Sequence, residues 1–271
     1  MIKLGVLLGV ALASTVAQAG VIDLGSIMGG ANVYTARDFK AISSDVEGAI
    51  VAGGNVTIQN YAVNLKNKAA YAGYSIVAGG NISLTSGSIH NGQTYAGGQI
   101  ALQSAATPPR SSVNPVDFAD ATEQFRDIAA GLSLVDATGR VGREYSANKL
   151  IGSGNGVLDI FNVSADFLNG GNNWVLSGLA KDQTLIFNIS GKHGAFTGGM
   201  DPLKDYNVLF NFFEAETVDV KGILGSVLAP HATVTANHGV VKGQIIADAW
   251  DSGVQVDAEK YFRRIDIPGI V

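Results

Sequence analysis

The chain has 271 residues, with 18 basic and 23 acidic side chains, a formal charge of −5 and no basic run, which excludes the electrostatic footprint of a nucleic-acid partner. It contains no cysteine, so disulfides, thiolate nucleophiles and cysteine-ligated metals are excluded. Only 15% of residues are charged against 46% hydrophobic, with 35 glycines, which argues against disorder and for repeated coils that bury aliphatic stacks and bend at glycine.

Lys3, the apolar run Leu4 to Ala13 and the small-residue motif Ala17-Gln18-Ala19 have the pattern of an exported leader cut after Ala19, giving a signal segment over 1–19 and one domain over 20–271. The apolar run is too short to span a bilayer. From Gly20 to about Asp45 the chain resembles a lead-in and a first irregular coil. Three copies of one phrase follow: Ile50-Val51-Ala52-Gly53-Gly54-Asn55-Val56-Thr57-Ile58, Ile76-Val77-Ala78-Gly79-Gly80-Asn81-Ile82-Ser83-Leu84, and Tyr95-Ala96-Gly97-Gly98-Gln99-Ile100-Ala101-Leu102. Gly53 and Gly79 are 26 residues apart, and Gly79 and Gly97 are 18 apart, a period that predicts strand, glycine corner and strand stacking on themselves. Ile50, Ala52, Val56 and Ile58, with Ile76, Ala78, Ile82 and Leu84 in the same places, are the inward candidates. The glycine corners are expected to use positive φ. Asn55 and Asn81 are either corner residues in the left-handed region or members of a stacked amide ladder.

Thr107 to Ser112, with Pro108-Pro109, is read as a linker or turn. Asn114-Pro115 predicts a helix over about 115–134, with Asn114 as N-cap, Pro115 at the first position, acids Asp117 and Asp120 in the first turns, and Gly131 or Gly139 ending it. Phe118, Ala121, Phe125, Ile128, Ala129 and Leu132 share one face, which must lie against the coils. Strands are then expected at 157–163, from Trp174, at 184–189 and at 207–213. The period returns at Gly225-Ser226-Val227-Leu228-Ala229 and Gly243-Gln244-Ile245-Ile246-Ala247, again 18 residues apart. The expected fold is therefore mainly β: a discontinuous right-handed β-solenoid with one long helix alongside.

At Asp45 to Asn55, the later Gly-Gly phrases, the helical stretch, Phe161-Asn162-Val163, Leu185 to Gly191, Gly222 to Pro230 and Gly243 to Ala247, the chain resembles the choice-of-anchor A family of bacterial secreted and surface proteins. That domain is similar in plan to ice-binding-like adhesive domains. The resemblance implies adhesion or matrix building and supplies no catalytic residues. Tyr261 to Val271 shows no hydrophobic tail or sorting motif, so no covalent anchor is expected, and the protein is expected outside the cell or loosely held at its surface.

The search for chemistry returns little. His90, His193, His231 and His238 have no ligand spacing, although His231 and His238 are seven residues apart. Ser226 lacks the nucleophile elbow, since Leu224 and Leu228 stand where glycines are required. Gly152 to Gly156 lacks the Lys-Ser/Thr of a phosphate loop and reads as a turn. The densest acids are Asp201, Asp205, Glu214, Glu216 and Asp219, and Asp219 with Lys221 fits either a reactive or a solvated pair. Asp159, Asp166, Asn169, Asn172 and Asn173 could offer oxygens to calcium. Thr57, Ser83 and Ala101 occupy equivalent repeat positions, a row that degrades away from the threonine array an ice-binding face needs, and Thr233-Val234-Thr235 is an isolated doublet.

No catalytic, metal or cofactor site is assigned. The structural repeat set is Gly53, Gly54, Asn55, Gly79, Gly80, Asn81, Gly97, Gly98, Gly225 and Gly243. The expected function is a secreted, non-enzymatic adhesive or matrix module that binds a surface polymer, a glycan or itself. The alternatives are a polysaccharide-active enzyme on a β-helix and a self-assembling or ice-binding-like structural protein.

Overall fold

The computed structural model of the chain describes residues 19–103, 108–196, 199–236 and 238–268. Ala17 and Thr107, and the leader up to residue 18, lie outside the described residues. The chain is mainly β, and most of its strands belong to one parallel sheet. Strand alternation sends every second side chain inward, and in-register parallel pairing sets like on like.

The pairings resolve into three ladders. The first runs through Leu158–Ser164, Thr184–Ser190, Asn207–Asn211, the early parts of Ser226–Ala236 and Ile245–Ser252, then Val33–Thr35, Ile50–Ala52, Tyr74–Ala78 and Gln93–Ala96. The second joins His193–Gly194, Thr217–Asp219, the later parts of Ser226–Ala236 and Ile245–Ser252, Phe39–Ile42, and the early parts of Val56–Lys68 and Ile82–Ile89, and ends at Ile100–Gln103. The third takes Ile223–Leu224, Val240–Lys242, Gln255–Asp257, Asp45–Gly48 and the ends of Val56–Lys68 and Ile82–Ile89.

Order along the ladders differs from order along the chain. The chain starts mid-stack, builds to one end, crosses back, and returns from the other end until Ile245–Ser252 meets Val33–Thr35 and Phe39–Ile42. Asn32 locks this junction. Its buried amide donates to the Gly243 carbonyl (2.8 Å) and the Asp257 carbonyl (3.3 Å) and accepts from Gly48 N–H (3.0 Å). Gln244 donates across the same junction to Ala31 (3.2 Å).

The three ladders contribute to one buried cluster. In the first, Phe161, Phe187, Phe210, Val227, Ile245, Val33, Ile50 and Ile76 form a continuous inward row. The rings of Phe161, Phe187 and Phe210 stack at 5.4 and 5.1 Å. Each such side chain contributes roughly 1.5–3 kcal/mol on burial.

The Gly-Gly corners correct one expectation. Positive φ does not explain the Gly-Gly corners: none of Gly53, Gly54, Gly79, Gly80, Gly97 or Gly98 has it. A Cβ on Gly53, Gly79 or Gly97 would instead run into the backbone carbonyl of Ala36, Gly53 or Gly79 in the adjoining strand connection. Gly225 and Gly243, which stack on each other at a different corner where the third ladder passes into the first, do have the expected positive φ (134° and 158°). Of the two readings of Asn55 and Asn81, the structure shows the amide ladder: the Asn81 amide donates to Asn55 Oδ1 (3.1 Å), and that of Asn55 to Asp38 Oδ1 (3.1 Å).

The helix is Phe118–Ser133, shorter than expected, and Asp117 is its N-cap, accepting from Ala119 (3.0 Å) and Asp120 (3.1 Å) N–H groups. Asn114 is not the cap, because its side chain is engaged with Val116 N–H in the preceding turn (3.2 Å). Gly131 lies inside the helix and Leu134, not Gly139, is the C-cap. Segment 108–112 does more than link, since Arg110 bridges the edge strand at Thr94.

Ala121, Phe125, Ala129 and Leu132 bury one helix stripe in a cluster with Tyr34, Ile160, Ile186, Leu209, Leu228 and Ile246, the outward side chains of the first ladder. Three outward asparagines then tie the helix end down. Asn211 donates to the Ala129 carbonyl (2.9 Å), Asn188 to that of Leu132 (2.6 Å) and Asn162 to that of Val135 (3.4 Å), and each inner amide also donates to the next asparagine (3.0 Å). Three helical residues rise about 4.5 Å, close to the strand spacing of about 4.8 Å, so a helix running along the stack offers one carbonyl per strand.

At one end, Arg140–Glu144, Ala147–Ile151 and Trp174–Ser177 form a separate three-stranded sheet that places Leu150 and Trp174 in the main cluster. Near the helix, Ala19–Ile22 pairs antiparallel with Ile265–Pro268.

Candidate binding face and corner cleft

The first ladder is covered by the helix, but the second turns a side to solvent. Its central outward row is Asp219, Thr235, Asp251, Lys40, Thr57, Ser83 and Ala101, one residue per strand. Ile42, Gln59, Thr85 and Gln103 form a second row, all exposed. Neighbours repeat at about 4.8 Å across strands and about 6.6 Å along them. The result is a regular grid of hydroxyls, amides and charges.

Charge enters the grid as ion pairs, Lys40 with Asp251 (3.5 Å) and Lys221 with Asp219 (3.3 Å). Such exposed pairs stabilise by at most about 1 kcal/mol, so their effect is on surface chemistry. The Thr57–Ser83–Ala101 register is real, and charged residues break the row on its other side. That pattern differs from a uniform threonine array.

Beside this face, where the first ladder turns into the second, an open cleft of about 640 Å³ runs along one flank of the helix. Arg37, Phe118, Thr122, Arg126 and Asp248 are among its walls. Arg37 Nε donates to Asp248 Oδ2 (2.7 Å), Arg37 Nη2 reaches the same oxygen, and Arg126 approaches Oδ1 at 3.9 Å. Asp248, from the C-terminal half, thus joins the helix to the N-terminal half. Burial first and the Arg126 charge second push the His231 imidazole below its ordinary value, against an opposing pull from Asp248. A base whose folded pKa is depressed binds its proton more readily unfolded, so it favours folding above about pH 6.5 and loses that contribution as pH falls toward the folded value. NMR titration is expected to place the His231 midpoint below 6.5, and Arg126→Gln is expected to move it upward.

The other sequence candidates are occupied structurally. Asp159 is fully buried and accepts from Thr138 Oγ1 (2.9 Å), Ser153 N–H (3.0 Å) and Gln183 Nε2 (2.7 Å), so its oxygens already hold hydrogen-bond donors. Asp159 and Asp166 stand at opposite ends of the strand Leu158–Ser164, so these two carboxylates do not share one site. Among the described residues no group of three or more His, Asp or Glu side chains could hold a metal ion. Glu214 accepts from Gly191 N–H (2.7 Å) and Glu216 pairs with Lys192 (3.4 Å). Ser226 is buried and accepts from Gln244 and Phe262 N–H groups (3.0 and 3.1 Å).

A family described as an ice-binding-like adhesive domain matches residues 25–258. This chain belongs to that family. The match agrees with the adhesive, ice-binding-like likeness read from the sequence, although it does not carry the choice-of-anchor A name. No match to a curated protein or to a solved structure is found. The adhesive domain spans the three ladders and the helix, and among the described residues no helix is long and apolar enough to cross a membrane. Sequence reasoning reached the Thr57, Ser83 and Ala101 positions of the open face. It did not reach Lys40, Asp251 or the cleft, because those residues meet only across the junction between the two chain halves.

Proposed function

We propose that the adhesive domain is an exported, non-enzymatic module that holds a surface or matrix polymer, a glycan, on the open face of its second ladder. The three ladders would wind as one right-handed β-solenoid over residues 20–271, after a leader ending at Ala19 is removed. The observation that carries this reading is the uncovered outward grid, whose short polar side chains repeat in register and can meet the repeating hydroxyls of an extended chain. The engagement of Asp159, Glu214, Glu216 and Asp219 by neighbouring groups favours binding over acid–base chemistry. The glycan itself and any self-association belong to the same reading.

The test is retention of purified protein on cellulose, chitin and immobilised alginate. The paired substitution Thr57→Lys with Thr85→Lys is expected to lower retention at least about tenfold, equivalent to about 1.4 kcal/mol, with thermal stability unchanged because both sites are exposed. A wild-type protein retained by none of these materials would sink the proposal.

A further inference from the structure

One bulky side chain, Tyr145, stands on a left-handed backbone and projects fully into solvent. The hairpin of Arg140–Glu144 and Ala147–Ile151 turns through Tyr145 and Ser146. Tyr145 is fully exposed, at 100% of its accessible surface, and its backbone lies in the left-handed region at φ 54°. A large side chain is rare there because its Cβ crowds the backbone, and glycine, asparagine or aspartate normally fills such turns.

Of the other left-handed residues besides glycine, some follow that rule, Ser43, Ala72 and Ser86 carry only small side chains, and Tyr71 and Lys260 have internal contacts. Asn60, Asn64, Asn67, Asn91 and Asp182 are of the tolerant types. Tyr71 shares the conformation (φ 44°), but its ring lies against Gly29 and its hydroxyl donates to the Ile27 carbonyl (2.9 Å). The Lys260 ammonium donates to the Lys204 carbonyl. For Tyr145, no side-chain hydrogen bond, ion pair or ring contact is found among the described residues.

The turn is nonetheless held firmly. The Ser146 carbonyl accepts from Asn172 N–H (3.0 Å), and Asn148 N–H donates to Asn173 (2.8 Å). Lys149 and Glu144 form an ion pair directly beside the turn, and the Arg143 guanidinium lies 4.6 Å over the Phe167 ring. A rigid hairpin therefore presents a solvated aromatic ring at a local cost in backbone strain.

From these observations we infer that Tyr145 is a ligand-contact residue, a stacking platform for a sugar ring at the end of the stack and separate from the open face. The inference rests on the adhesive reading above. A pyranose has an apolar C–H face that suits the ring and hydroxyl edges that suit Glu144, Lys149 and Ser146. Gly142, on the same hairpin, adds no obstruction, since a Cβ there would meet nothing within 4 Å. A lipid surface is the poorer match, because the Glu144 carboxylate would have to enter the headgroup layer with the ring.

Tyr145→Gly and Tyr145→Trp separate binding from structure. Retention is measured on cellulose, chitin, immobilised alginate and phosphatidylserine vesicles, with melting temperature in parallel. Tyr145→Gly is expected to raise Tm by about 2–4 °C, as the strain is released, and to lower polysaccharide retention at least about tenfold. Tyr145→Trp is expected to keep both near wild type. A lower or unchanged Tm for Tyr145→Gly would overturn the inference by giving the ring a structural role, and preferential loss of vesicle binding would overturn the ligand class. If Tyr145→Gly is retained like wild type while the Thr57→Lys and Thr85→Lys protein is not, this site fails and the adhesive reading stands. If wild type is retained by no polysaccharide, both fall.

Discussion

Gly79→Ala is expected to destabilise the adhesive domain by about 3 kcal/mol or more, whereas Gly142→Ala is expected to be neutral or to stabilise it by up to about 1 kcal/mol. Both changes add one methyl to a glycine without positive φ, so backbone preference cannot separate them. Space does. A Cβ on Gly79 would strike the Gly53 carbonyl, with the carbonyl carbon at 3.0 Å and Cα at 3.4 Å, all of them backbone atoms that cannot rotate away. Gly97 in turn packs on the Gly79 carbonyl, so the displacement reaches a third strand connection. The hydrogen bonds from Gly79 to Ala52 and from Gly80 to Gly54, both 2.8 Å, lie at the point of separation. Equilibrium denaturation of both variants checks the contrast. Because stacked repeats touch only their neighbours, hydrogen exchange in Gly79→Ala should accelerate first in Tyr74–Ala78 and Gln93–Ala96. An undisturbed Gly79→Ala would mean that the close approach of the corners does not set strand spacing.

The same residues show how much of this fold could be read in advance. The inward sets at Ile50, Ala52, Val56 and Ile58 and at Ile76, Ala78, Ile82 and Leu84 were legible because in-register parallel pairing turns sequence period directly into contact. The period could not tell why glycine is required, since a positive φ and a close approach leave the same signature. The apolar face of the helix was equally plain, but its start was not, because Asn114-Pro115 and Asp117 are both good caps and only the turn at Val116 decides between them. Of the end sheet only the strand from Trp174 was expected; its hairpin was missed for a physical reason, since Arg140-Val141-Gly142-Arg143-Glu144 has no alternating apolar pattern and pairs as a strand because Leu150 and Trp174 behind it enter the core. For the candidate face, one run of the outward row was visible as Thr57, Ser83 and Ala101. The remainder comes from Lys40, Asp251, Thr235 and Asp219, and its continuity depends on the junction that Asn32 closes. The asparagine row left a trace in Phe161-Asn162-Val163-Ser164 and Phe187-Asn188-Ile189-Ser190, but repetition shows only that the amides stack. It does not show that helix carbonyls fall at the same interval.

That interval can be tested through Asn188→Asp, which is expected to cost about 3–5 kcal/mol at pH 7, while Asn162→Asp costs less than about 1 kcal/mol. Asn188 is 2% exposed, and its amide nitrogen serves both the Leu132 carbonyl and Asn162 Oδ1. A carboxylate in its place removes the donor and sets negative charge against two acceptors, with Asn211 left as the only amide donating to it. Asn162 sits at the exposed end of the row, where water can replace what is lost. Burial would raise the folded pKa of the introduced carboxyl above the unfolded value of about 3.9. Below that unfolded value the carboxyl is neutral in both states, and the deficit should shrink to about 1 kcal/mol for the missing hydrogen bond. It should then grow as pH rises through 3.9 and level off above the folded pKa. Denaturation at pH 3.5 and pH 7, each compared with wild type at the same pH, reads this directly. A deficit of equal size at both pH values would mean that the amide row does not bind the helix through its donors, and that the apolar contacts of Phe125 and Leu132 hold the helix in place without it.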